Sequence, residues 1–492
     1  MSSQDYPLRN SGIYHNLPQF SPAISGLTAI ITGANGISGF GTLRALLDSP
    51  LRWSKIYTIS RSPPPDSMLR LLPEHALTKI QFIPIDFLSP PTTIAAALNS
   101  ANIKTVDYIF YYTYAQPPPE PGAGAWSNDA QLVTLNASMF SNFLSALNSA
   151  NIKTVDYIFY YTYAQPPPEP GAGAWSNDAQ LVTLNASMFS NFLSALPLAS
   201  LTPKRILLQT GAKNYGAHLG PVKEPCCESD PQPRDLAPNF YYAQEDLLKA
   251  YSERNPATGW NVIRPPWIVG AVAAAAMNPI FPFAVYAAVQ AQRGLPLVFP
   301  GSVEIWNEVA HRATAVLTGF LSEWVVLEKK CGDQAFNSQD TSPVTWTRFW
   351  EELVRWFGVE RGFEPPKTGD DVADELVLGE EGRLPLGYGL PQKTKYHFTL
   401  TTWAADPSNA AAWKEIMNQH DLLHDPFADP AGNFTFGDMA LNRDPCLSMN
   451  KARRLGWTGM VDTLEAIFEM YQEMGQMGYL PLMRVGEAKA LV

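Results

Sequence analysis

The sequence is short of the features that mark secreted, membrane or nucleic-acid-binding proteins. Four cysteines occur in 492 residues, at 226, 227, 331 and 446. Two are adjacent and none has zinc spacing, so reduced thiols in a cytoplasmic protein are the expected state. The opening MSSQDYPLRNSG lacks the apolar stretch of a secretory signal. Lys and Arg number 35 against 46 Asp and Glu, a net charge of −11, which argues against a nucleic-acid partner. The most apolar stretch, VGAVAAAAMNPIFPFAVYAA, is broken by Asn278, Pro279 and Pro282. It reads as buried structure, not as a membrane span. His420 and His424 could share one helix face but make at most half a metal site, and no metal is expected.

What is present is a length of 492 residues, enough for two domains or one large domain with insertions, and an apolar content of 46%, ordinary for a protein with a full core. The chain also contains a perfect repeat. Residues 99–147 (NSANIKTVDYIFYYTYAQPPPEPGAGAWSNDAQLVTLNASMFSNFLSAL) recur letter for letter as residues 148–196. Solenoid repeats drift in sequence and need three or more copies, so this pair reads as a recent tandem duplication or a sequence-assembly error. Each copy holds a buried-strand pattern, VDYIFYYTYA, then a Pro/Gly loop and a helix pattern. An ordinary sheet needs one such unit. The expectation is that either copy supplies it while the surplus bulges out or packs elsewhere.

Near the N-terminus an apolar run, Ala29 to Thr32, is followed by Gly33, Gly36 and Gly39 and then a helix pattern. Strand, glycine turn and helix in that order suit a dinucleotide pyrophosphate, which sits at the helix N-terminus. The next strand pattern, KIYTIS, ends at Ser60-Arg61-Ser62. An acidic residue there would hold the ribose hydroxyls of NAD; a guanidinium suits a 2′-phosphate, so NADPH is the expected cofactor. A third strand pattern ends at Asp86-Phe87, a plausible edge of the adenine pocket. Strands and helices alternate to about residue 270, the pattern of a doubly wound parallel sheet.

A fifth pattern, KRILLQT, ends in the loop that carries Lys213. NFYYAQEDLLKAY follows, with Asn239 as helix N-cap and Tyr241 in the first turn. Short-chain reductases usually carry a lysine four residues after the catalytic tyrosine, but here Glu245 occupies that place. A lysine and a tyrosine could still meet at the nicotinamide from two separate segments.

These stretches resemble the progesterone 5β-reductase / iridoid synthase family, atypical extended short-chain dehydrogenase/reductases that reduce enones. The family's TGxKHYxGP loop is matched by TGAKNYGAHLGP, and its NFYY by NFYYAQED. RPPWIVG (264–270), YAAVQAQRGLPLVFPG (286–301), QAFNSQDTSPVTWTRFWEELVRWFGVE (334–360) and SMNKARRLGW (448–457) are similar too. Length and N-terminal style are similar to fungal members tied to secondary metabolism. The resemblance implies Tyr241 and Lys213 as the catalytic pair, with Tyr241 also facing the cofactor. It implies cofactor contacts at Asn35, Gly36, Ile37, Arg61, Ser62, Asp86, Phe87, Gln209, Ile268, Ala275, Ala276 and Met277. The family's Thr-Trp after the fourth strand becomes Thr113-Tyr114, or Thr162-Tyr163 in the second copy. The sequence departs from the family at Asn214, in the longer loop before Gly220, and in an insertion near 365–430. The acidic part of that insertion reads as a mobile loop or lid.

The implied organisation is an N-terminal extension (1–23), an NADP-binding Rossmann domain (24–270) and a smaller, mostly helical substrate region (271–492). The implied reaction is NADPH-dependent reduction of an activated C=C bond in a small apolar enone. Ketone or aldehyde reduction in the same site is the alternative, and an inactive NADP-binding protein is a second one. No membrane partner is expected, and a homodimer is left open. The aromatic helix pattern 346–358 reads as core, not as a ring-binding wall.

Overall fold

The computed structural model describes residues 6–114, 129–163, 178–273, 277–366, 374–378 and 390–489. Strand β1 (Leu27–Thr32) leads through the glycine turn into α1 (Ile37–Leu47). Then come β2 (Trp53–Ser60), β3 (Ile80–Pro84), α2 (Pro91–Ser100), β4 (Tyr108–Tyr111), α3 (Asp129–Ser149), β5 (Tyr157–Tyr160), α4 (Asp178–Leu198), β6 (Arg205–Gln209), α5 (Phe240–Arg254) and β7 (Gly259–Arg264). A late segment supplies β8 (Gln334–Asn337), so residues beyond 270 complete the sheet. The eight strands are all parallel, in the order β8-β7-β6-β5-β4-β1-β2-β3.

Alternation along each strand sorts side chains to two faces. Ala29, Ile31, Phe110, Phe159, Leu207 and Ile263 face a core shared with α1 and the C-terminal helices. Ile30, Ile109, Ile158, Ile206 and Val262 face α2, α3, α4 and α5. The result is a three-layer doubly wound Rossmann fold. Its crossovers change face between β1 and β4, and in such sheets ligands bind in the crevice at that point.

The repeat corrects one expectation. Neither copy is surplus: the first supplies β4 and α3, the second β5 and α4, as consecutive βα units. The two strands pair with zero shift, so Tyr108 faces Tyr157, Ile109 faces Ile158, Phe110 faces Phe159 and Tyr111 faces Tyr160. Each aromatic thus meets its own counterpart. Phe110 and Phe159 stack with centroids 4.2 Å apart, and Tyr112 and Tyr161 at 4.4 Å. A strand with both faces apolar fits beside a copy of itself because the same residues are buried on both. Helix α4 is long and apolar enough over Ala179–Leu198 to cross a membrane. Its Phe189, Phe192 and Leu196 are instead buried against the sheet and α3.

The C-terminal region is mainly helical, with α6 (Phe281–Gln292), α7 (Ala315–Leu327), α8 (Trp346–Phe357), α9 (Pro407–His420), α10 (Pro430–Ala440) and α11 (Thr463–Gln476). Trp346, Phe349, Trp350, Trp356 and Phe357 of α8 are buried core residues. The insertion near 365–430 is not simply a lid. Asp374–Leu378 pairs with Gln392–Tyr396 in an antiparallel ladder, and α9 packs its Trp413 into the core. Asp370, Asp371, Glu380 and Glu381 lie outside the described residues. His420 and His424 do not share a helix: His420 ends α9, while His424 packs in a loop between Phe281 and Tyr479. Among the described residues no group of three or more His, Cys, Asp or Glu could hold a metal ion.

Candidate functional site

The crevice begins at the glycine turn. Gly33 has φ +69°, a left-handed conformation that favours glycine. The Gly36 amide donates to the Gly33 carbonyl at 3.1 Å. A Cβ on Gly39 would lie 2.3 Å from that carbonyl oxygen, so only glycine lets α1 start this close to the strand. Gly36 caps α1 with no side-chain hydrogen bond, and the first turn carries no acidic residue. The free amides and helix dipole at Ile37 are therefore available to an anion. Asn35 ties this turn to the end of β2 by donating to the Ser62 and Pro63 carbonyls at 3.2 and 3.3 Å. Exposed Arg61 stands between Ser60 and Ser62.

Other expected cofactor residues are more scattered. The Asp86 carboxylate accepts from the Leu88 amide. The Phe87 side chain points away from the crevice, into the core against Tyr111 and Phe143, which leaves only its backbone for a ligand. Ile268 starts a short strand paired in parallel with Ala313–Thr314. Met277 accepts a hydrogen bond from the Tyr163 hydroxyl at 3.2 Å. Ala275 and Ala276 lie outside the described residues.

Tyr241 and Lys213 are brought together by the sequence's N-cap. The Asn239 side chain accepts from the Tyr241 amide at 3.0 Å and donates to the Lys213 carbonyl at 3.0 Å. One residue thus fixes both the first turn of α5 and the 3-10 turn Ala212–Tyr215 that carries Lys213. A Cβ on Gly211 would sit 3.2 Å from the Tyr241 hydroxyl oxygen, so the tyrosine reaches the end of β6. Burial pushes the Tyr241 hydroxyl well above the ordinary tyrosine range. His218, in the same loop, is pushed down to about 3 by burial and by the Lys213 ammonium nearby.

The place four residues after Tyr241 has a different function from the usual lysine's. Glu245 is 1% exposed and forms a forked ion pair with Arg264 of β7, with contacts of 2.8, 2.9 and 3.1 Å. Gln232 donates to both Glu245 and Asn214, and Arg264 donates to the Tyr215 hydroxyl. The carboxylate therefore braces the Lys213 turn from behind. Glu245 faces Arg264, and it is burial that raises the Tyr241 pKa. Sequence patterns did not reveal this network, because its bonded members are 13 to 49 residues apart and meet only across β7 and the loop.

Both copies of the repeat reach the site, in different places. A Cβ on Gly33 would lie 3.2–3.4 Å from Tyr112 and the Thr113 amide, so the first copy adjoins the glycine turn. In the second copy, the Tyr163 ring stacks on Phe240 at 5.6 Å, and Phe240 in turn meets Tyr241 edge-on at 4.5 Å. Along the sheet's C-terminal edge Asn35 Oδ1, Thr113 Oγ1, Thr162 Oγ1, Gln209 Oε1 and Thr210 Oγ1 are buried with no hydrogen-bond partner among the described residues. Buried polar atoms are rarely left unpaired. Five along one crevice, beside a glycine turn and a helix N-terminus, fit a polar ligand lying across it.

A model of the PRISE-like Rossmann-fold domain matches residues 146–377, starting where the first repeat copy ends. The chain is 25% identical over 465 residues to a short chain dehydrogenase of Penicillium aethiopicum, covering 92% of this chain and 99% of that one. It is 26% identical over 460 residues to an (S)-8-oxocitronellyl enol synthase of Antirrhinum majus, covering 92% of each. It is 28% identical over 262 residues to a 3-oxo-Delta(4,5)-steroid 5-beta-reductase of Arabidopsis thaliana, covering 52% of this chain and 59% of that one. Together with the fold, these matches indicate an oxidoreductase of the short-chain dehydrogenase/reductase superfamily.

Proposed function

A model of the PRISE-like Rossmann-fold domain matches residues 146–377, and on that match we propose that the chain is an NADPH-dependent reductase of enones. It saturates the activated carbon–carbon double bond of a small apolar substrate. One observation carries the choice of chemistry: Tyr241 is half-buried at the end of β6, and its i+4 partner is a glutamate neutralised by Arg264.

The bound nicotinamide would supply a hydride to the β-carbon of the enone, and the resulting enolate would take a proton from water at its α-carbon to give the saturated ketone. The residues then have to hold the negative charge that develops on the carbonyl oxygen. A tyrosine that burial keeps protonated donates a hydrogen bond to that oxygen. The Lys213 ammonium, on a turn fixed through Asn239, adds a point charge. Donors of this kind are commonly worth about 3–4 kcal/mol each. Ketone reduction makes a different demand, because the alkoxide takes a proton outright and a tyrosine with a lowered pKa does this best. Nothing at position 245 lowers the pKa of Tyr241. At the cofactor end Gly33, Gly36, Ile37 and Asn35 would hold the pyrophosphate turn, and Arg61 the 2′-phosphate. The apolar enone preference is supported by the relatives named for an enol synthase and a 3-oxo-Delta(4,5)-steroid reductase.

The test is NADPH oxidation by the purified chain with a panel of enones and their matched saturated ketones, with products identified by mass and NMR. Saturated ketone products are expected, with a loss of about a hundredfold or more in Tyr241→Phe. Alcohol products from the saturated ketones would replace this reading with carbonyl reduction.

A further inference from the structure

We propose that the two identical repeat copies have divided the site, the first serving the dinucleotide and the second the substrate. This division rests on the reading of the crevice as a reductase site.

β5 stands between β4 and β6. The glycine turn follows β1, next to β4, while Tyr241 and Lys213 gather at the end of β6. A sheet with one copy would place β6 directly against β4. The second copy therefore moves the catalytic end away from the cofactor end by one strand spacing, about 4.8 Å. That is longer than any hydrogen bond, so a single Thr-Tyr pair cannot serve both ends.

The contacts follow this division. The Thr113 amide and Tyr112 lie against Gly33, so Thr113 borders the pyrophosphate turn. Thr162 is 5% exposed, and its hydroxyl has no partner among the described residues. The next residue, Tyr163, packs on Phe240, bonds Met277 and has the Tyr241 hydroxyl nearby. Thr162 ends the strand beside the one that leads to Lys213, and its unpartnered hydroxyl is the group assigned to a polar substrate atom. Identical residues in identical local sequence are given different ligands by position in the sheet alone. Thr162 is a substrate-positioning residue that a one-copy chain would not have. The floor in front of Tyr241 is also one strand wider, which suits a bulky, ring-containing enone better than a short acyclic one.

The test uses the full chain with Thr113→Val and Thr162→Val, which remove one hydroxyl each at nearly constant shape. NADPH affinity is read by fluorescence titration, and turnover with 2-cyclohexen-1-one and progesterone as probes. Thr113→Val is expected to weaken NADPH binding about tenfold. Thr162→Val is expected to leave it within twofold and to lower kcat/KM for the enone about tenfold, with Thr162→Ser recovering most of the loss. A deletion variant joins Leu147 directly to Pro197, and the exactness of the repeat leaves no foreign junction. In that one-copy chain Thr113→Val is expected to affect cofactor affinity and turnover together. Equal losses of NADPH affinity in the two full-chain variants, or a loss confined to Thr162→Val, would overturn the division. If the unmodified chain reduces no enone while the NADPH asymmetry holds, the enone reading falls and the cofactor half of the division stands.

Discussion

Glu245 is the residue whose replacement tests most directly how this site does without the usual lysine. Its side chain is 1% exposed, and that of Arg264 5%. The pair makes three contacts of 2.8–3.1 Å, and Gln232 and the Tyr215 hydroxyl complete the network. Glu245→Gln keeps the shape and removes the charge, leaving a buried guanidinium without its counter-ion. Breaking a buried pair from one side costs about 3–5 kcal/mol. Glutamine recovers part of its hydrogen bonding, so about 3 kcal/mol is the expected loss. At a urea slope of about 3 kcal/mol/M the midpoint moves down by about 1 M, read from tryptophan fluorescence. Glu245→Lys, which restores the lysine four residues after the tyrosine, should do worse. It sets an ammonium against Arg264 in a dry site, and it should not produce a ketone reductase. The double replacement Glu245→Leu with Arg264→Met removes both charges and should recover most of the stability. A Glu245→Gln protein within about 1 kcal/mol of the parent, or a soluble Glu245→Lys protein that reduces saturated ketones, would refute the reasoning.

Three further expectations can be checked. Gly39→Ala places a methyl 2.3 Å from the Gly33 carbonyl, so the turn must open; NADPH binding by titration should fall a hundredfold or more, and unchanged affinity would mean the turn is not the pyrophosphate site. Arg61→Ala should weaken NADPH by about 2 kcal/mol, or about thirtyfold, the usual size of a charge-assisted bond to phosphate; NADH affinity should hardly change, and equal losses for both cofactors would remove Arg61 from the 2′-phosphate site. Burial pushes the Asp340 carboxyl up to about 7, against the hydrogen bonds from Thr314 and the pull of Arg312, with Asp462 adding to the push. Its folded pKa thus lies above the unfolded value of about 3.9, and the folded state holds the extra proton between these values. Stability contributed by this group therefore falls as pH rises from about 4 to 7 and is level above. Asp340→Asn should gain on the parent between pH 5 and pH 8 in urea midpoint; a difference between the two proteins that is the same at both pH values sinks this account.

Much of this protein was determined by its sequence alone. The apolar run ahead of Gly33, Gly36 and Gly39 specifies strand, turn and helix because the turn needs a left-handed residue and a helix that starts against the strand. Asn239 is legible as an N-cap and Tyr241 as a first-turn residue because these are local preferences. The aromatic spacing of 346–358 is legible as core for the same reason. Tertiary structure decided what local pattern cannot carry. Glu245 meets Arg264 only because α5 lies along β7. The Phe87 side chain turned into the core because α3 covers that face. Above all, two segments with the same 49 residues have the same local preferences, so no local rule can tell Thr113 from Thr162. They differ because parallel strands add side by side, and the strand that comes second stands one place further from the glycine turn and one place nearer the tyrosine.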